Sequence, residues 1–334
     1  MGGKPFVSII IPVRNEERYI ERCLCSVLNQ DYAKEHLEII FVDGKSNDKT
    51  KEIITQYTKE YNHIILLENP NKTVPYAMNR GIKQAKGKYI IRMDAHSEYE
   101  QDYISQCVYY LGTTDADNVG GVALCKSSGY IGNTIGLALS SVFGVGNSIF
   151  RTTGKEGYVD TVPFGAFRRE VFEQYGLFDE RLTRNEDNEV NSRIRKAGGK
   201  IYLTPKIRFY YYHRDRIPDL AKQGYSNGMW NIIAHFLHPG SMAIRHFVPF
   251  TFVISITLFL LVGMISKNNL FINFFLLEIG SYFALNIFFS IRSCIKKGFK
   301  YIPMLIIVFF IFHFSYGIGS CMGLLKTILG KVRQ

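Results

Sequence analysis

Tyr89-Ile90-Ile91-Arg92-Met93-Asp94-Ala95-His96 is the stretch on which the fold turns, because a short apolar run ends there in an acid. The same arrangement occurs earlier, where Leu37-Glu38-Ile39-Ile40-Phe41-Val42 runs into Asp43. Short continuous apolar runs suit strands buried on both faces, as in a parallel sheet covered by helices. In an open sheet of that kind the ligand crevice lies outside the carboxyl ends of the strands, so both carboxylates are expected at the crevice.

Working outward, residues 7–11 form another apolar run, which Pro12 should end, and Ile20, Cys23, Leu24, Val27 and Leu28 recur at helical spacing. A strand over 37–42, a loop over 43–48 and a helix over 49–61 follow, with Ser46 or Asn47 as the expected cap. A strand over 64–67, a helix over 74–85 and a strand ending at Asp94 complete an alternation that predicts a parallel sheet with right-handed crossovers. Beyond Asp94 the pattern loosens. Residues 101–111 read as helix, 118–124 as strand, 165–178 and 190–197 as helix, and 200–203 as strand. The Gly- and Ser-rich stretch 131–150 reads as an irregular cover or membrane-touching surface rather than a span, and 216–245 as a partly amphipathic approach to the bilayer.

The last third of the 334-residue chain is apolar. Residues 247–265 carry no charge, 270–291 carry Glu278 alone, and 301–325 carry His313 as the one titratable group. Each run is close to the roughly 20 residues that a membrane-crossing helix needs. The expected organisation is therefore an α/β domain over 1–240 and a membrane unit over 241–334. The first 30 residues lack the basic-then-apolar pattern of a signal peptide, which places the α/β domain in the cytosol. Arg292, Lys296, Lys297 and Lys300 between the second and third runs, against Lys267 between the first and second, agree with that orientation in an inner or plasma membrane. Lys326, Lys331 and Arg333 at the outer end argue for a re-entrant third segment instead.

The net charge of +11 and pI near 9.2 do not point to nucleic acid, because the basic residues are dispersed. Anionic headgroups of membrane lipids and a pyrophosphate-bearing substrate account for them. The six cysteines show no Cys-x-x-Cys spacing for zinc, and a cytosolic domain keeps them reduced.

From about Phe6 to beyond Arg245 the chain resembles the family-2 glycosyltransferases, in particular membrane-bound members of the succinoglycan-assembly type. The motifs that carry the resemblance are Val7-Ser8-Ile9-Ile10-Ile11-Pro12-Val13-Arg14-Asn15-Glu16, Asp43-Gly44, Asn79-Arg80-Gly81-Ile82, Asp94-Ala95-His96, Val162-Pro163-Phe164-Gly165-Ala166-Phe167, Gly176-Leu177-Phe178-Asp179-Glu180 and Asn185-Glu186-Asp187, with Tyr316-Gly317-Ile318-Gly319-Ser320 in the last span. The resemblance implies a GT-A-like, mostly parallel sheet followed by transmembrane helices. It also implies an inverting transfer from a nucleotide sugar, usually a UDP-sugar, to a lipid-linked polyprenyl saccharide.

On that footing Asp94 and His96 are the expected ligands of a divalent cation, Mn²⁺ or Mg²⁺, which neutralises a diphosphate leaving group. His96 stands where the family usually has Asp, and imidazole suits Mn²⁺ better than Mg²⁺. Asp187 is the expected general base, with capping of a helix near Val190 as its alternative. Pro12, Arg14, Asn15, Glu16, Asp43, Asn79, Arg80 and Asp94 are expected around the nucleotide, and Lys72 near the phosphates or as a solvated loop charge. Gly165, Glu186, Gln223 and Trp230 are acceptor-side candidates. Gln223 and Trp230 lie where processive synthases carry Gln-x-x-Arg-Trp, but the Arg is missing and the spacing is stretched. Two rival readings are a polyprenyl-phosphate glycosyltransferase and a silent nucleotide-binding scaffold, and the coexistence of Asp43, Asp94 and Asp187 argues against silence.

Overall fold

The computed structural model describes residues 3–152, 154–330 and 332, so Lys331 and Arg333 of the basic C-terminus lie outside the described residues. In chain order the first elements are β1 (Val7–Val13), α1 (Ile20–Leu28), β2 (Leu37–Asp43), α2 (Thr50–Glu60), β3 (Ile64–Glu68) and α3 (Val74–Gln84). Next come β4 (Tyr89–Arg92), β5 (Ser97–Tyr99), α4 (Tyr103–Thr113), β6 (Asn118–Lys126), α5 (Gly129–Leu139), α6 (Val142–Val145) and α7 (Ile149–Thr152). The remainder is β7 (Gly157–Tyr158), β8 (Ala166–Arg168), α8 (Glu170–Tyr175), α9 (Glu186–Lys196), β9 (Ile201–Tyr212), α10 (Ile217–Leu237), α11 (Val248–Ser266), α12 (Asn269–Cys294) and α13 (Ile302–Ile328). They divide into two compact units, residues 1–124 with 153–212, and residues 125–152 with 213–334.

The first unit is built on one sheet of order β3-β2-β1-β4-β8-β6-β9-β5, with β7 paired to β9. Its β3-β2-β1-β4 half is parallel, as the strand–helix alternation predicts, while β8 pairs antiparallel with both β4 and β6, and β5 and β7 pair antiparallel with β9. The sheet is therefore mixed. The stretch 165–178, expected as one helix, is instead β8 followed by the short α8, because β8 supplies β4 with its second neighbour. Pro12 does not end β1. The β1–β4 ladder stops at Ile10↔Arg92, whereas the β1–β2 ladder continues to Val13↔Asp43. A proline is tolerated where the strand has a neighbour on one side alone, and this one-sided end of β1 opens the crevice. Helix α3 lies close on β1, since a Cβ at Gly81 would stand 2.5 Å from Ile10 Cγ2.

The second unit takes in more sequence than the hydropathy predicts. Residues 125–152 and 213–240 belong with the three apolar helices, and Ile135, Leu139, Leu220, Cys294, Leu305, Val308 and Phe309 form its core. Stretch 131–150, expected as irregular, contains most of α5, all of α6 and part of α7. Three segments, Ile244–Ser266, Asn269–Cys294 and Phe299–Ile328, are long and apolar enough to cross a membrane. The last is a continuous helix over Ile302–Ile328, without the break that a re-entrant hairpin requires.

Helix α10 packs along α13 through a seam of small residues. A Cβ at Gly228 would lie 1.9 Å from the Tyr316 carbonyl oxygen, one at Gly319 2.0 Å from that of Tyr225, and one at Gly323 2.4 Å from that of Met229. Backbones this close exclude any side chain, the approach that small residues permit between helices. The glycines of Gln223-Gly224-Tyr225-Ser226-Asn227-Gly228-Met229-Trp230 are thereby explained as packing positions.

Candidate active site

The loops that leave β1 and β2 are zipped together. Asn15 N donates to Ser46 Oγ at 2.9 Å, Asn47 N to Asn15 Oδ1 at 3.0 Å, Glu16 N to Thr50 Oγ1 at 2.7 Å, and Lys49 N to Glu17 Oε2 at 3.0 Å. Asp43 is buried and accepts from the Ser46 backbone N at 3.2 Å and from Ser46 Oγ at 2.6 Å. Ser46 thus serves Asp43 rather than capping α2, which begins after Lys49 with no side-chain cap. The loop after β3 closes the other side. Asn69 binds the Thr73 carbonyl at 2.8 Å and its N–H reaches the Asp43 carbonyl at 2.7 Å.

Between these loops lies a crevice of about 470 Å³ lined by Pro12, Val13, Arg14, Glu16, Gly44, Asn69, Lys72, Thr73, Val74, Ala77, Asp94, His96 and Thr183. Pro12, Arg14, Glu16, Asp94 and His96 are therefore brought together as the sequence predicts. Asn15 braces the loops instead, and Asp43 lies behind the lining. Among the described residues, five non-glycine residues of the first unit's loops have positive φ: Asn15 at 56°, Lys45 at 57°, Lys72 at 65°, Phe164 at 47° and Asn185 at 64°. Such conformations cost energy and concentrate at functional sites, where surrounding contacts hold them.

Of the expected acids, Asp94 and Glu16 line the crevice, and Asp187 is not among the lining residues. Asp94 follows β4, and its backbone N–H donates to Tyr99 Oη at 2.6 Å. His96 Nδ1 lies 3.3 Å from Glu16 Oε1, and its ring meets Tyr211 edge-on with centroids 5.3 Å apart. Asp187 is in the first turn of α9, whose cap is Asn185 with no side-chain cap hydrogen bond, so the capping alternative for Asp187 does not hold. One turn further along, Asn191 anchors the helix, its Oδ1 accepting from Asn118 Nδ2 at 2.7 Å and its Nδ2 donating to Thr161 Oγ1 at 2.8 Å.

Arg92 joins these acids. Its Nε lies 3.3 Å from Asp94 Oδ1, its Nη1 lies 2.9 Å from Glu186 Oε1, and Nη1 donates to Asp187 Oδ1 as well. Burial pushes the Asp187 carboxyl up to about 7, with a quarter of the side chain still exposed. Arg92 opposes that rise, and Glu186 and Asp94 add to it. Sequence reading passed over Arg92, yet a signal was present. It is a cation inside the buried run 89–93, and a buried charge demands paired partners.

Other expected site residues have different work. Asn79 is buried and binds the loop before α9, with Nδ2 donating to the Phe178 carbonyl and Oδ1 accepting from Phe178 N, both at 2.9 Å. It reaches the site through the chain that carries Thr183 and Asp187, not through a phosphate. Arg80 is exposed on α3. Glu186 is buried against Arg92, and Gly165 is a packing glycine, since a Cβ there would stand 2.2 Å from Asn118 Oδ1. Gln223 and Trp230 are on α10 of the second unit, both half-buried.

Residues 8–176 match the family profile described as Glycosyl transferase family 2. A relative from Methanococcus voltae, named dolichyl N-acetyl-alpha-D-glucosaminyl phosphate 3-beta-D-2,3-diacetamido-2,3-dideoxy-beta-D-glucuronosyltransferase, is 32% identical over 96% of this chain and 98% of its own. The succinoglycan biosynthesis protein ExoA of Rhizobium meliloti is 32% identical over 72% of this chain and 73% of its own. In fold, the chain is similar to a mannosyltransferase from Pyrobaculum calidifontis solved with GDP-Man and Mn²⁺, at a TM-score of 0.61 and 17% identity over 98% of this chain and 88% of that one.

Substitution of Asn79 tests its reassignment. Asn79→Ala strands two buried backbone groups of Phe178, each worth about 1–3 kcal/mol when left unsatisfied. Thermal unfolding should show the loss while donor KM stays within a few-fold of wild type. A large rise in KM with unchanged stability would return Asn79 to the phosphate site.

Proposed function

Because the chain belongs to glycosyltransferase family 2, we propose that it moves one sugar, with inversion, from a UDP-sugar to a lipid-linked saccharide at the membrane. The observation that carries this reading is the union of Asp94, at the crevice, with Asp187, on α9, through a shared arginine. The Methanococcus voltae relative's name supports the acceptor class, since it specifies a dolichyl phosphate already bearing one sugar, and it specifies a β-linked product. The second unit's three membrane-length helices suit a lipid acceptor. The basic link 292–300 supports an orientation with the catalytic unit on the cytosolic side.

In the proposed reaction the acceptor hydroxyl oxygen attacks the anomeric carbon as the bond to the diphosphate breaks. The hydroxyl proton passes to Asp187, and the nucleoside diphosphate departs. Arg14 and Lys72, at the crevice lining, are the cations that would meet the phosphates, and Gly44 keeps the lining between them free of a side chain.

Among the described residues no group of three or more His, Cys, Asp or Glu side chains is arranged to hold a metal. Asp94 and His96 at the crevice nevertheless fit a divalent ion held jointly with substrate phosphates, a common arrangement for ions that keep few protein ligands. When bound, that ion would neutralise charge on the leaving diphosphate. A His96 tautomer protonated at Nδ1 would donate to Glu16 Oε1 and leave the lone pair on Nε2, the orientation that a carboxylate partner imposes on a ligating histidine.

Asp187→Asn should abolish transfer, with a loss of about 10²–10⁴-fold, while leaving UDP-sugar affinity near wild type. Near-normal turnover in a membrane-based transfer assay would remove Asp187 as the base.

Metal use is tested separately. Chelation should stop transfer and weaken UDP-sugar binding, and Mn²⁺ should restore both at lower concentration than Mg²⁺. His96→Asp should shift the preference toward Mg²⁺. An unchanged preference in that variant would deny His96 a place at the ion, and full activity in chelator would contradict the site as a whole.

A further inference from the structure

Arg92 is 4% exposed and stands at the last position of β4. Its guanidinium faces acids from two segments about ninety residues apart in the chain, Asp94 just past β4 and Glu186 with Asp187 in the first turn of α9. The Phe164 ring covers it, with the guanidinium carbon 5.7 Å from the ring centroid. Phe164 itself is held at positive φ, so the chain accepts an unfavourable backbone at the residue that covers this cation. A planar fork of fixed donors can hold several carboxylates at set directions, which a single ammonium cannot.

We propose that Arg92 is the positioning residue of the transfer reaction, fixing the separation between the carboxylate at the donor diphosphate and the carboxylate that takes the acceptor proton. It touches neither substrate and acts through Asp94 and Asp187. The inference rests on the assignment of Asp187 as base, and it adds a coupling: the geometry of the acceptor side is set by the same group that orients the donor side. The charged groups that face Asp187 are Arg92 from β4, Asp94 beyond its end, and Glu186 beside it on α9. Arg92 favours the carboxylate form, and the two acids oppose it.

Opposite substitutions give the test, read as the pH profile of kcat/KM for full-length protein in membranes. Arg92→Gln should lower kcat about 100-fold near neutral pH and move the acidic limb upward by about one unit or more, so that part of the loss is recovered on raising the pH. Glu186→Gln removes one acid that competes for Arg92 and should move the same limb downward. Arg92→Lys, which keeps the charge without the fork, should leave the limb near wild type while kcat stays about tenfold low. UDP binding should change by less than about threefold in Glu186→Gln, which leaves the Arg92–Asp94 pair in place, whereas Arg92→Gln should also weaken it through the loss of Asp94's partner.

A residue that merely stabilised the fold would lower kcat equally at every pH. That result, or limbs displaced in the same direction by Arg92→Gln and Glu186→Gln, would overturn the proposal. If Arg92→Gln does not fold, the directions seen in Glu186→Gln and Arg92→Lys decide alone. Active Asp187→Asn would instead indict the base assignment, whereas an inactive Asp187→Asn with unshifted limbs in the Arg92 and Glu186 variants indicts only the positioning claim.

Discussion

One buried guanidinium facing three carboxylates is the constraint around which the first unit is arranged. If all three acids ionise, a single cation leaves the cluster with excess negative charge in a place where water screens poorly. The molecule answers in two ways. The proton affinity of Asp187 rises, and Asp94 stands at a crevice where a divalent ion would supply positive charge beside it. Removing Arg92 would leave uncompensated acids in the interior, the costly way to break a buried ion pair.

The scaffold fixes where that cluster can form. Parallel pairing of β1 with β2 and β4 aligns the strand ends, and the early stop of the β1–β4 ladder frees Pro12 and Val13 to line the crevice. Antiparallel β8 then brings Phe164 and Gly165 beside β4, with Arg92 N donating to the Gly165 carbonyl at 3.1 Å. The Asn118–Asn191–Thr161 network fixes α9, and α9 presents Asp187 four residues before Asn191, on the same helix face. A separate device organises the second unit. There the glycine seam between α10 and α13 replaces side-chain interdigitation with backbone contact.

Much of this was legible in the sequence for physical reasons. Buried parallel strands read as continuous apolar runs, so β1, β2 and β3 and the helices between them came out near their observed limits. Membrane-length helices declare themselves by hydropathy in the same way. The antiparallel half was harder to read, because β8 is three residues long and its identity depends on β4, about 75 residues earlier in the chain. Motif residues also divide by work that spacing does not encode. Asp94 and His96 do line the crevice, but Asn79, Asn15 and Gly165 hold loops and packing in place, which their position in a familiar motif could not reveal. Arg92 was hidden by the opposite error, as a charge within a strand read only for its apolar neighbours.

The stereochemistry of the product tests the central claim most directly. A single displacement assisted by one base must invert the anomeric centre. An α-linked UDP-sugar incubated with the membrane-embedded protein and a lipid-linked monosaccharide should therefore give a β-glycoside, read from the anomeric coupling constant of the released saccharide by NMR. An α-linked product would contradict the single-base displacement assigned to Asp187 and with it the arrangement built around Arg92.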